Sequence, residues 1–163
     1  MKQIKLTRRL KTIADYIKYG ACVTDIGTDH GHLPVYLAQT GSVSRIIASD
    51  ISAASLNAAR RSADKYDVTD KITFISAPGL DAVSPSDTDT IVITGLGGET
   101  ILDILKAAPW TKHDRIELIL QPQSKIELLC RFLYDNGYKI KETKSITDME
   151  KTYTIILCTG YDQ

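Results

Sequence analysis

Cysteine is scarce in this 163-residue chain, and its three copies are spread out. Cys22, Cys130 and Cys158 stand far apart and form no C-x-x-C pair. That spacing argues against a disulfide framework, a zinc site or a paired-thiol redox motif, and fits reduced cysteines in a cytosolic core. No apolar run approaches the length of a membrane span. The charged, amphipathic N-terminus lacks the apolar stretch of a signal peptide. Net charge is absent as well, since 20 Lys and Arg balance 20 Asp and Glu. By bulk charge alone the chain is not a strong nucleic-acid binder. There is no repeat, no low-complexity tract and no internal linker. What is present, 43% hydrophobic and 25% charged residues, is enough for the core of one soluble domain covering 1–163. A cytoplasmic monomer with no membrane partner and no metal is expected.

The charge is unevenly placed. Residues 1–20 hold Lys2, Lys5, Arg8, Arg9, Lys11 and Lys18 against Asp15 alone, whereas Asp67 to Asp103 is almost purely acidic. A basic N-terminal end of this kind attracts phosphate, although it also serves as a solvated helix face. Leu6, Leu10, Ile13 and Ile17 recur at helical spacing and predict a helix over 6–19, with Gly20 as its C′ residue. From there strands and helices alternate. Strands are expected at 22–26, 44–49, 71–76, 89–94 and 115–120. Helices are expected from Pro34 to Gln39, from a Ser52 cap to Lys65 with Ala53, Leu56, Ala59 and Ala63 turned inward, around Ile101 to Leu105, and from a Ser124 cap to Asn136-Gly137. The segments 138–146 and 152–159 sit at hairpin distance around Asp148-Met149-Glu150. The alternation predicts an α/β fold with a parallel sheet and helices on both faces. The terminal hairpin adds an antiparallel element that plain dinucleotide folds lack.

The most informative stretch is Val23 to Pro34, VTDIGTDHGHLP. It reads as a buried strand, a tight turn and the opening of a helix, with Gly27 and Gly31 in the turn and Asp50 closing the next strand. In a Rossmann-like sheet the glycines let backbone approach a ligand, and the carboxylate after the second strand takes ribose hydroxyls. A dinucleotide site requires G-x-G-x-x-G and room for a pyrophosphate. This turn lacks the third glycine and carries Asp25 and Asp29, which repel phosphate. S-adenosylmethionine has no phosphate. Its sulfonium and ammonium suit carboxylates, and its carboxylate suits loop N–H groups. The D-x-G-x-D-x-G pattern followed by Asp50 therefore favours that cofactor over NAD. A second glycine cluster, Thr94-Gly95-Leu96-Gly97-Gly98, lies at the carboxyl end of the fourth strand, where ligands of parallel sheets bind.

These residues carry a resemblance to a known family. From Leu6 to about Leu157 the chain resembles the bacterial TrmK family. The resemblance rests on Leu6-Thr7-Arg8-Arg9-Leu10, on Asp25-Ile26-Gly27-Thr28-Asp29-His30 with Leu33-Pro34, and on Gly95-Leu96-Gly97-Gly98. It rests further on Leu120-Gln121-Pro122, on Leu133 to Tyr138, and on Lys151 with Tyr153. It implies a class I methyltransferase sheet of seven strands that methylates N1 of an adenine in the D arm of tRNA, using S-adenosylmethionine. For the adenine that the resemblance implies, Thr94 and Gly95 are expected to offer carbonyls to the amino group, and Gly97 and Gly98 to leave room for the flat ring. Asp29 is expected to face the cofactor ammonium or the adenine, His30 to hold Asp29 or act as a base near neutral pH, and His32 to pack or to stack on the adenine. Pattern and resemblance together give a catalytic set of Asp29, His30 and Gly95. The cofactor set is Asp25, Gly27, Thr28, Asp29, Gly31, Asp50, Ile51, Pro78, Gly79, Leu80 and Thr94. The tRNA set is Arg8, Arg9, His32, Gly97, Gly98, Gln121 and Pro122. The chain departs from the family at Gly31-His32, usually Ala-Tyr, at Pro78, usually acidic, and at Gln123, often Asn. It also stops before the family's C-terminal coiled-coil domain, so it is expected to be the catalytic domain alone. A methyltransferase for another substrate, or a module that binds cofactor or tRNA without turnover, remains an alternative. A nicotinamide oxidoreductase is disfavoured by the missing glycine.

Overall fold

A computed structural model describes residues 2–161. Helix α1 (Arg8–Tyr16) is capped by the Thr7 side chain, which accepts from the Leu10 N–H. Strand β1 (Cys22–Ile26), helix α2 (His32–Thr40), strand β2 (Arg45–Asp50) and helix α3 (Ala53–Lys65) follow, then strand β3 (Thr73–Ser76). Strand β4 (Thr90–Leu96), helix α4 (Gly98–Lys106), strand β5 (Glu117–Pro122) and helix α5 (Ile126–Asp135) lead to the antiparallel strands β6 (Tyr138–Asp148) and β7 (Lys151–Gly160).

All seven strands form one sheet in the order β3-β2-β1-β4-β5-β7-β6. The first five run parallel, and β7 enters antiparallel between β5 and β6. Both faces of the central strands are buried, as near-continuous apolar runs require. Val23, Val92 and Ile119 face a core closed by Ile13 of α1, Leu33 and Val35 of α2 and Ala63 of α3. Ile91, Ile93, Leu118 and Leu120 face a second core closed by Ile101 and Leu105 of α4 and Leu129 and Leu133 of α5. The chain winds outward from β1 through β2 to β3, then returns to place β4 on the other side of β1. The crevice at that reversal, outside the carboxyl ends of β1 and β4, is where such sheets take ligands.

The expected architecture is present, and several local details differ. Helix α1 is shorter than 6–19. Gly20 is left-handed (φ 82°), but it serves the turn into β1 with its N–H on the Ser42 carbonyl, and the helix has already ended near Ile17. Ser52 caps α3, with its Oγ accepting from Ser55 N, whereas Ala53 is exposed and does not face the core. Ser124 is not the cap of α5. Lys125 occupies that position in a left-handed conformation with no side-chain cap, and the Ser124 carbonyl accepts the N–H of Gly98 instead. Strands β4 and β5 each run two residues beyond their expected ends, so Gly95, Gln121 and Pro122 lie in the sheet. The hairpin is longer than expected and closes with Met149 and Glu150 at positive φ, as a two-residue turn of the primed type requires.

Candidate functional site

The turn after β1 hangs on the end of β2. The N–H groups of Gly27 and Thr28 both donate to the Ser49 carbonyl, at 2.9 and 3.2 Å. Gly27, Asp29 and Gly31 all adopt left-handed φ, at 72°, 55° and 71°. Aspartate tolerates that region better than most residues. Asp50 holds the turn from below: Oδ2 accepts the N–H of Asp29 at 3.2 Å, and Oδ1 accepts that of Ser52 at 2.9 Å. Each oxygen keeps a further lone pair, the acceptor capacity that vicinal hydroxyls use. Gly31 is required for packing. A Cβ there would lie 2.8 Å from Ala59 Cβ, so its hydrogen lets α2 start against α3.

A cleft of about 750 Å³ opens above this turn. It is walled by the β1–α2 turn, the end of β2 with Ile51, the loop 77–81, the end of β4, the outer face of α4 and the start of α1. The structure brings together on it Arg9, Asp25, Gly27, Thr28, Asp29, His30, His32, Asp50, Ile51, Pro78, Gly79, Leu80, Thr94 and Gly95 from the expected sets. It leaves Arg8, Gly31, Gly97, Gly98, Gln121 and Pro122 off the lining. The expectation that Gly97 and Gly98 leave room for a flat ring gives way to packing. A Cβ on Gly98 would meet the backbone oxygens of Lys125 and Ser124 at 2.4 and 2.6 Å, and one on Gly97 would meet Ser124 Oγ at 3.0 Å. Arg8 lies on the exposed surface with Nη1 on the Thr147 carbonyl at 3.1 Å. Gln121 and Pro122 are buried.

Asp25 sits at the floor, 4% exposed, accepting from Thr28 Oγ1 at 2.9 Å. Burial pushes its carboxyl up to about 7. The Thr28 hydrogen bond and the Arg9 charge oppose that rise, and the Asp50 and Asp29 charges add to it. A cation delivered to this floor would meet a carboxylate with little competing solvent. At the rim Asp29 and His30 are exposed, with His30 Nε2 3.9 Å from Asp29 Oδ1. His30 and His32 stack with ring centroids 5.8 Å apart. Burial, then the neighbouring His30, lowers the pKa of His32, so its ring stays neutral to lower pH. Arg9 enters from α1. Its Nη1 donates to Gln121 Oε1 at 3.1 Å, its guanidinium lies 5.3 Å from the Tyr153 ring centroid, and its backbone N–H donates to Asp148 Oδ2 at 3.2 Å.

Sequence reasoning missed several lining residues: Thr7 and Leu10 of the α1 start, Ser55 of α3, Asp81 of the loop, Gln123, Thr100, Asp103 and Ile104 of α4, and Ala107 just past its end. Asp81 and Asp103 matter most, because they place two carboxylates on the wall where Pro78 supplies none. Asp81 stands three residues after Pro78, with its N–H on the Pro78 carbonyl, and that offset was the available signal.

The chain matches the family model described as a methyltransferase domain over residues 6–156. It is 31% identical over 163 residues to the tRNA (adenine(22)-N(1))-methyltransferase of Bacillus subtilis (strain 168), covering 100% of this chain and 68% of that protein. The crystal structure of the B. subtilis m1A22 tRNA methyltransferase TrmK superposes with a TM-score of 0.91 over 98% of this chain and 68% of that one, at 31% identity. The structure of M. capricolum TrmK in complex with the cofactor product S-adenosyl-homocysteine gives a TM-score of 0.84 at 31% identity, covering 96% of this chain and 70% of that one. Streptococcus pneumoniae Sp1610 in complex with S-adenosyl-L-methionine gives 0.89 at 27% identity, over 98% and 75%.

Proposed function

This chain belongs to the methyltransferase-domain family, and we infer that within it the chain is an S-adenosylmethionine-dependent tRNA (adenine-N1)-methyltransferase. The observation that carries this reading is the carboxylate-bearing, glycine-lined turn of β1 braced on Asp50 beside a cleft of about 750 Å³. Relatives whose names state methylation of tRNA adenine N1 share sequence and fold with this chain over almost its whole length. The target is an adenine of the D arm, matching position 22 of the B. subtilis relative. On this reading a tRNA-modifying domain acts in the cytoplasm, and it acts as a monomer. The segment 1–163 works as a single unit with α1 included, because α1 contributes Arg9 and Leu10 to the wall.

The residues present fit the cofactor. Asp50 has both oxygens anchored by backbone N–H groups and is positioned for ribose hydroxyls. Ile51, Gly79 and Leu80 supply an apolar slot for the adenine ring, and Pro78 lines its mouth. Asp25 and Asp29 face the cationic end, and Gly27, Thr28 and Thr94 complete that wall. When bound, S-adenosylmethionine supplies the methyl group on a sulfonium.

The chain's own part is alignment, exclusion of water and stabilisation of charge on the base. Holding the reacting atoms in line contributes on the order of 7–11 kcal/mol in the best intramolecular cases. A carbonyl of Thr94 or Gly95 accepts one hydrogen of the exocyclic amino group and fixes N1 in place, leaving the other hydrogen to a base. Asp29 at the rim faces the positive charge that develops on the ring, and His30 beside it takes the amino proton. The neutral ring of His32 stacks on the base. An adenine in a paired arm must be extruded first, at a cost of a few kcal/mol.

The test is transfer of labelled methyl from S-adenosylmethionine to unmodified tRNA. Label in that tRNA and none in a tRNA lacking the D-arm adenine supports the reading. Equal label in both, or a calorimetric titration in which NAD binds and S-adenosylmethionine does not, overturns it.

A further inference from the structure

Gln121 is 1% exposed and lies off the cleft lining, yet it touches two groups that do line it. Its Oε1 accepts from Arg9 Nη1 and from the Gly95 N–H, both at 3.1 Å. Its Nε2 donates to the Pro122 carbonyl at 3.3 Å. Gly95 is left-handed (φ 74°) and sits where the β4–β5 register slips between Thr94 and Leu96, so this amide replaces a lost ladder partner. Arg9 comes from 112 residues away on α1. Core packing alone does not ask for an amide here. A buried polar side chain costs free energy unless its hydrogen bonds are made, and an apolar residue fills the same volume without that risk.

We propose that Gln121 is a positioning residue of the methyl-transfer site, locking the Arg9 guanidinium and the Gly95 peptide into one unit through a single buried oxygen. The proposal rests on the functional reading above. Arg9 binds an anionic oxygen, Gly95 receives the base, and the shared acceptor fixes the distance between them. The anionic oxygen belongs either to a tRNA phosphate or to the cofactor carboxylate, and the experiment separates the two.

The variants are Gln121→Met, which keeps the volume and removes the acceptor, Gln121→Glu, which restores an acceptor, Arg9→Ala, and the double variant R9A/Q121M. Measured are kcat, KM for tRNA, calorimetric Kd for S-adenosylmethionine, melting temperature, and hydrogen exchange of the Gly95 amide and the Arg9 guanidinium. The expected loss in kcat/KM for Q121M is on the order of 10²-fold, the effect of misplacing a reacting group by about 1 Å. Q121E recovers most of it, and the double variant falls no further than the weaker single one. A raised KM for tRNA assigns the anionic oxygen to phosphate, and a raised Kd assigns it to the cofactor; either supports the positioning role. Q121M also speeds exchange at both Gly95 and Arg9, a readout that stands even if wild-type protein methylates no tRNA and the functional reading fails. Additive losses, Q121E as impaired as Q121M, or unchanged exchange at both sites overturns the proposal. A purely structural role would lower the melting temperature without the rescue or the non-additivity.

Discussion

On the β1–β2 side of the cleft, the hydrogen bonds that shape the site join near neighbours in the chain. Thr28 reaches Asp25 three residues away, and Asp29 reaches Asp50 across 21. On the β4–β5 side the corresponding contacts are long. Arg9 meets Gln121 across 112 residues and Asp148 across 139. Gly98 presses on the backbone of Ser124 and Lys125 from the opposite end of two elements. The first side is a local motif that the sheet merely presents. The second exists only once α1, β5 and the terminal hairpin have assembled. Under the functional reading the local side holds the cofactor and the assembled side handles the tRNA.

The comparison breaks most visibly at the glycines. Gly98→Ala puts a methyl 2.4 Å from a backbone oxygen that has no side chain to swing away. A cost of about 3 kcal/mol or more in a denaturant melt is expected, at the upper end for overpacking. Gly31→Ala combines a 2.8 Å contact with Ala59 Cβ and a positive φ, and is expected to cost about 2–3 kcal/mol. Gly31 thus shows that the local side also depends on one tertiary contact, with α3. A melt in which Gly98→Ala is no less stable than the unaltered chain would undo the packing assignment of the second glycine cluster.

Asp50→Ala tests the division of labour. Losing a carboxylate that accepts hydrogen bonds costs about 1.5–3 kcal/mol, so S-adenosylmethionine affinity should fall roughly 10- to 150-fold by calorimetry. The KM for tRNA should change little. A rise confined to the tRNA KM would reverse the assignment of the two sides.

The Asp25 carboxyl gives a pH signature. Burial holds its folded-state pKa at about 7, well above the usual carboxylate range. The folded protein therefore holds this proton more tightly than the unfolded chain does. The stability it contributes is complete below about pH 4 and is lost as pH rises to about 7. Cofactor affinity should move the other way, rising through about pH 7 as the floor becomes anionic. Asp25→Asn should flatten both profiles, and an unchanged affinity profile in that variant would remove Asp25 from cation binding. The smallest effect is expected at Arg8, whose guanidinium donates to the exposed Thr147 carbonyl. Arg8→Ala should shift stability by less than about 0.5 kcal/mol, against a clear loss of tRNA methylation for Arg9→Ala.

The same contrast explains what was legible in the sequence. Periodicity and the D-x-G-x-D-x-G turn exposed the alternation of strands and helices and the carboxylates of the β1–β2 side, because those features are written over short spans. Ser124 read as a helix cap because a serine before an apolar helix is a local signal. The tertiary demand of Gly98 on its carbonyl decided otherwise. Gly97 and Gly98 read as ligand space because nothing in the sequence says that α5 begins against them. Asp81 and Asp103 escaped notice because only the fold brings the loop after β3 and the face of α4 to one wall. Gln121 looked like a substrate contact because its burial is set by the tertiary pairing of β5 with β4, where it stands opposite Thr94.

The most direct test of the account is nucleoside mass spectrometry of unmodified tRNA incubated with this chain and S-adenosylmethionine, with the modified position mapped by fragmentation. The account predicts N1-methyladenosine at a single D-arm adenine, with turnover in Asp29→Ala suppressed more than cofactor affinity. Methyl groups on another base or another ring atom, or none despite cofactor binding, would contradict it.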